Sequence, residues 1–83
     1  MKTTRYFEEQ VMGKRPYIER AWCAGAIVAP IPRTVQDDGR IRHWVEIIDT
    51  RDGERRILRV VTLEGGTTVH NAFFDRDFVR DRP

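Results

Sequence analysis

The stretch Arg55-Arg56-Ile57-Leu58-Arg59-Val60-Val61-Thr62-Leu63 carries the strongest pattern in the chain. It is long enough for a full strand, and its apolar side chains alternate onto both faces: Ile57, Val61 and Leu63 on one, Leu58 and Val60 on the other. A strand that is apolar on both sides is expected at the centre of its sheet, covered above and below. Arg59 interrupts one of those faces.

Working outward, the strand is bounded by Asp52-Gly53 and Gly65-Gly66, and a third such dipeptide, Asp38-Gly39, lies further upstream. Pairs of this kind favour tight hairpin turns, because their central residues reach positive φ at little cost. They divide everything after Pro30 into candidate strands over residues 31–36, 41–49, 56–63 and 67–74. Ahead of them, Thr3 or Thr4 can cap a short helix running through Arg5 to Val11, with Glu8 and Glu9 at its positive end and Gly13 closing it. Pro16 is expected in the first turn of a second helix, whose apolar stripe is Ile18, Ala21, Trp22, Gly25 and Val28 or Ala29, and Pro30 and Pro32 stop it. The expected fold is α+β: two N-terminal helices packed on one face of a four-stranded antiparallel meander. Asp75 to Arg80 is expected to add a helical turn and Asp81-Arg82-Pro83 to fray.

Length and composition set the frame for this plan. Eighty-three residues make one small domain, 1–83, able to bury only about 60 to 65% of its unfolded surface. With 40% hydrophobic and 34% charged residues the chain has enough apolar content for one modest core. There is no apolar run of membrane-spanning length and no signal-like start, so the expected location is the cytoplasm and no membrane partner is expected. The single cysteine, Cys23, has no Cys or His at ligand spacing, and neither a metal nor a cofactor is expected. Trp22 and Cys23 are read as helix-packing residues. A net charge of +2 is small, but Arg far outnumbers Lys; guanidinium forks suit phosphate, while a GC-rich genome that favours Arg codons is the plainer explanation of the composition.

Two-residue turns would fix the register. Glu46 then lies opposite Arg59, Trp44 opposite Val61, Ile48 opposite Ile57 and Arg42 opposite Leu63. His70 lies opposite Val61, Ala72 opposite Arg59, and Phe74 opposite Ile57; Arg33 faces Trp44, and Val35 faces Arg42. One face collects Ile41, Val45, Ile47, Leu58, Val60, Val69 and Phe73 and is expected under the helices, with His43 a core histidine bonded to Thr34 or Thr62. The other gathers Arg33, Arg42, Glu46, Arg59 and His70 around Trp44, Ile48, Ile57, Val61, Leu63 and Phe74. A bulge or one extra loop residue would take Glu46 and Arg59 out of line.

Glu, Arg and His side by side can supply a base, a phosphate clamp and an acid, which is what metal-free RNA cleavage through the 2′-hydroxyl needs. Glu46 or His70 would be the base or acid and Arg59 the clamp. Trp44 would stack a base, with Arg33 and Arg42 on the backbone. The plain alternative is a cross-strand ion pair worth roughly 0.2 to 1 kcal/mol.

The element order, with Leu58-Arg59-Val60-Val61 on the third candidate strand and His70-Asn71-Ala72-Phe73-Phe74-Asp75-Arg76 near the end, resembles the RelE-like toxins and the wider barnase, colicin and RelE superfamily. The resemblance implies a metal-independent endoribonuclease or toxin-like RNA-binding protein, acting on RNA or at the ribosome. Arg59 matches the family's third-strand arginine, Arg76 and Phe78 its C-terminal basic and aromatic positions, and an antitoxin is the implied protein partner. The chain is less basic than ribosome-dependent toxins, lacks their lysine-rich helix, and has Tyr6, Glu8 and Glu9 where some related domains carry a helix histidine. The competing expectation is a non-enzymatic interaction module whose open face, around Trp44, Val61 and Phe74, meets a partner or a second copy.

Overall fold

The computed structural model describes residues 1–78, with two short helical segments against a five-stranded sheet. The strands are β1 (Lys2–Thr3), β2 (Thr34–Val35), β3 (Ile41–Ile48), β4 (Arg55–Thr62) and β5 (Thr68–Phe74). Helix α1 is π-helical over Phe7–Val11 and α-helical over Met12–Lys14, and α2 spans Arg20–Val28. The sheet order is β1-β5-β4-β3-β2, which leaves β4 at the centre. The fold is therefore α+β, but the expected four-stranded antiparallel meander is wrong. The sheet is mixed, because β1 pairs parallel with β5 through Lys2 and Thr68 and through Thr3 and Val69. A two-residue strand carries no periodicity that a sequence could reveal.

Thr4 joins this extra strand to α1. Its backbone N–H donates to Val69 O at 3.0 Å, and its Oγ1 accepts from the Phe7 N–H at 3.1 Å in the manner of an N-cap. The π turn that follows keeps Phe7 and Val11 buried. Pro16 does not open α2. It sits in a turn that drives Ile18 into the core, and α2 begins only after Glu19. Consequently the buried stripe of α2 is Cys23 and Ala26 flanked by Trp22 and Ile27, one residue round from the expected stripe, and Val28 is exposed. The core closes where these residues meet Ile47, Leu58, Val60, Val69 and Ala72.

Each hairpin departs from its two-residue turn in a different way, and each departure moves particular side chains. In the first, Gln36 N donates to Arg40 O and Asp37 to Gly39 form a three-residue loop with Gly39 at φ +87°. Thr34 and Val35 then pair with Arg42 and Ile41, a shift of one that turns Arg33 toward the helix side. Pro30 and Pro32, without N–H donors, keep β2 down to two of the six residues expected. In the second, Asp49 and Glu54 close a four-residue loop with Gly53 at φ +74°. That shift of two preserves the faces but slides the partners, so Trp44 lies opposite Arg59 and Glu46 opposite Ile57. The third hairpin starts in the expected register, with Thr62 opposite Val69, and then slips: Val61 pairs with Asn71, leaving His70 as the extra residue of a bulge. Beyond it the faces exchange. Ala72 and Phe74 lie over the core, and Phe73 joins Arg59 on the open face. After β5, Arg76 and Asp77 form a turn; the expected helical residues 79–80 and the frayed end 81–83 lie outside the described residues.

Candidate functional site

Arg59 projects from the central strand onto the open face, where Asp75 receives it. Asp75 Oδ2 accepts from Arg59 Nε at 3.0 Å, Arg59 Nη2 at 2.8 Å and Trp44 Nε1 at 3.0 Å. Its other oxygen accepts from the Asp77 N–H, and its own N–H reaches Ile57 O, so the chain past β5 is folded back onto β4. Burial works against the ionised carboxylate, but the Trp44 N–H and the Arg59 guanidinium outweigh it and hold Asp75 below the usual range. The guanidinium also lies 4.9 Å from the Phe73 ring centre and 5.9 Å from that of Trp44. Trp44 is capped by Phe78 at 5.2 Å and is only 8% exposed. It packs the face and offers little ring for a base to stack on.

Glu46, the expected partner of Arg59, reaches Arg55 instead at 3.0 Å, because the shift of two places it one pair further along the ladder. Arg33 lies on the helix side, where its charge adds to burial in holding His43 below its ordinary pKa. His43 is buried and bonded to Thr62 Oγ1 at 2.8 Å, one of its two expected partners. Arg42 remains on the open face, its Nε within 2.7 Å of the Gln36 amide oxygen when that amide is turned to satisfy both neighbours.

His70, displaced by the bulge, leans toward α1. Its Nδ1 is 2.9 Å from Thr4 Oγ1, and its ring stacks on Tyr6 at a centre distance of 4.8 Å. Burial, followed by the charge of Arg40, lowers its pKa against the pull of Asp38, so the ring is neutral at pH 7. Beside this stack lies an open cleft of about 340 Å³, lined among others by Gln36, Arg40, Arg59, His70 and Asn71. Of the expected catalytic trio, the cleft brings together Arg59 and His70 but not Glu46.

A second depression, of about 270 Å³, lies at the end of the sheet past β5, between Ile57, Asp75 and Arg76 toward the open face and Tyr17, Arg51, Arg56 and Phe74 toward the helix side. Behind it Asp49 is completely buried. It accepts from Arg51 Nε and Nη2, from the Arg51 N–H and from Arg56 Nε, while Arg56 Nη2 bonds Asp52. The Arg51 guanidinium lies 4.0 Å over the Tyr17 ring.

Sequence reasoning overlooked Tyr6, Asp49 and Asp75. Asp75 had one legible signal: an arginine inside a central strand needs an acid, and Asp75 follows the neighbouring strand directly. Tyr6 and Asp49 depend on the bulge and on a loop length that the sequence alone left open.

Chemically, the open face offers an aromatic–imidazole stack, amide groups and guanidinium forks on a rigid sheet. Cys23 adds no nucleophile, since burial pushes its thiol up to about 11. Among the described residues no His, Cys, Asp and Glu group could hold a metal ion, and no helix is long and apolar enough to cross a membrane. No family model, curated protein or solved structure matches the chain.

Proposed function

We propose that this protein binds single-stranded RNA on the open face of its sheet without cleaving it. The observation that carries the reading is the cleft where the Tyr6–His70 stack stands beside Arg40, Arg59, Gln36 and Asn71. Unpaired bases stack on aromatic and imidazole rings, amide side chains read their edges, and arginines hold the phosphates. Tyr6 is 47% exposed and so has surface left to receive a base.

Cleavage has less support than binding. A cleaving clamp needs uncompensated positive charge, whereas the charge of Arg59 is matched one to one by Asp75. A base or acid must reach the 2′-hydroxyl together with its partner, and Glu46 is turned to Arg55. From the resemblance to RelE-like toxins this reading keeps RNA as the partner and leaves the nuclease activity aside. The rival, a partner or homodimer surface around Trp44, Val61 and Phe74, loses its anchors: Trp44 and Val61 are buried within the chain, and Phe74 stacks on Tyr17 and meets Trp22 at a tilt on the helix side.

The test is fluorescence anisotropy with a labelled single-stranded RNA at rising salt, alongside a gel for cleavage. Intact RNA bound with an affinity that falls with salt, and weakened in Tyr6→Ala, is the expected result. Cut RNA, or binding unchanged in Tyr6→Ala, contradicts the proposal.

A further inference from the structure

The second depression is built around an acid that does not neutralise it. Asp49, with no exposed surface, fixes two guanidinium groups at once, and Asp52 takes a second donor of Arg56. Arg76 brings a third cation to the rim and has no ion-pair partner among the described residues. Three guanidinium groups thus face two carboxylates, since Asp75 is matched by Arg59. Neither Arg51 nor Arg56 commits its Nη1 to a partner among the described residues.

The forks are also held in place. Arg51 is clamped between the carboxylate and the Tyr17 ring, and both Arg51 and Arg56 lie within about 6 Å of the Phe74 ring centre. Orienting an arginine before its ligand arrives removes much of the side-chain entropy that binding would otherwise cost. The aromatic walls lower the local dielectric, which strengthens the attraction for an anion. A planar fork with unused donors, fixed beside a second one, matches the oxygens of a phosphate group.

We propose that the depression formed by Arg51, Arg56 and Arg76 over Tyr17 and Phe74 is a binding site for a phosphate group. The proposal rests on the RNA reading only for where the phosphate comes from. The two depressions adjoin through the Arg59–Asp75 pair, for Arg59 lines the first and Asp75 the second. A strand lying on the Tyr6–His70 stack and continuing along β4 past Ile57 would therefore bring a backbone or terminal phosphate to the end of the sheet, where this depression opens beside Ile57, Asp75 and Arg76.

The site is tested by titrating the intact chain with inorganic phosphate at pH 7 and constant ionic strength, following the arginine Nε–H signals by NMR. Saturable shifts of the Arg51 and Arg56 signals, absent with chloride and weakened at least threefold in Arg76→Gln, are expected. Because Arg76 is exposed and holds no ion pair among the described residues, that variant leaves the thermal midpoint in place. Arg51→Gln should abolish the shift of the Arg56 signal, and circular dichroism reports whether it remains folded. Shifts that chloride reproduces, or that Arg76→Gln leaves unchanged, overturn the proposal.

Competition by RNA then identifies the source. A hydroxyl-terminated oligonucleotide that displaces phosphate as well as a 5′-phosphorylated one points to the backbone, whereas displacement by the phosphorylated one alone points to the strand terminus. Phosphate bound and displaced by neither upholds the site and removes RNA as the source of its phosphate.

Discussion

The two faces of the sheet are made by the same strands, yet they solve opposite problems. Beneath the helices, Leu58, Val60, Val69 and Ala72 are wholly buried and meet Phe7, Val11, Ile18 and Cys23. The polar groups there are few and satisfied within the layer, as in His43 with Thr62. On the other side no helix among the described residues covers the strands, and closure comes from the chain past β5, where Asp75 draws Arg59 and Trp44 together and Phe78 lies over the indole. One face is closed by apolar area and the other by a hydrogen-bonded acid. The second kind of closure leaves charged and aromatic groups beside the covered patch, which is where a ligand can act.

The comparison breaks most readily at the dry face. Leu58→Ala should cost about 3 kcal/mol in urea unfolding, through lost burial and a cavity in a layer with little room to relax. A cost below about 1 kcal/mol would mean that the helices do not close that face tightly.

On the open face, Asp75→Asn should cost about 2 kcal/mol, less than a fully buried pair because Arg59 keeps a quarter of its side chain in water. Adding Arg59→Met to that variant should cost little more, since both changes remove one coupled unit. Full additivity would show that Arg59 and Asp75 do not act together.

The two closures should also respond to pH in different ranges. His43 has a folded pKa below its ordinary value of 6.5, so the unfolded chain takes up a proton that the folded chain refuses. Its contribution is intact above 6.5 and stability falls as pH drops through that value. Thermal midpoints should decline from pH 7 toward 5, and His43→Gln should flatten part of that slope, the remainder tracking His70, whose pKa is lowered likewise. Asp75, held low, keeps its contribution above the ordinary carboxylate range and loses it only as pH falls further. A midpoint independent of pH between 7 and 5 would contradict the buried, neutral state of His43.

The smallest stability effect is expected at the cleft. Tyr6→Ala should change stability by less than about 0.5 kcal/mol, because the ring is half exposed. The same substitution should weaken RNA binding by about tenfold, the typical worth of one stacked base.

Sequence patterning reached the dry face more surely than the open one. Alternation in residues 55–63 placed β4 at the centre and Leu58 and Val60 toward the helices, as the sheet shows. It failed where connection length mattered. Asp38-Gly39 and Asp52-Gly53 marked turns correctly, but the loops around them hold three and four residues. One shift turned Arg33 away from the open face and the other separated Glu46 from Arg59. The bulge at His70 then exchanged Phe73 and Phe74. Register depends on single residues, whereas a face pattern is the average of many, and a candidate site is only as legible as its register. Arg59 kept its face through all of this because a shift of two preserves alternation, but its partner changed from Glu46 to Asp75.

The proposed RNA surface is tested most directly by mapping a short single-stranded RNA onto the intact chain by amide and side-chain NMR shifts. The expected result is saturable shifts at Tyr6, Arg40, His70 and Asn71, with Val11, Cys23 and Ala26 on the helix side unmoved and the RNA intact at the end. Shifts centred on the helices, or none at low salt, would contradict it.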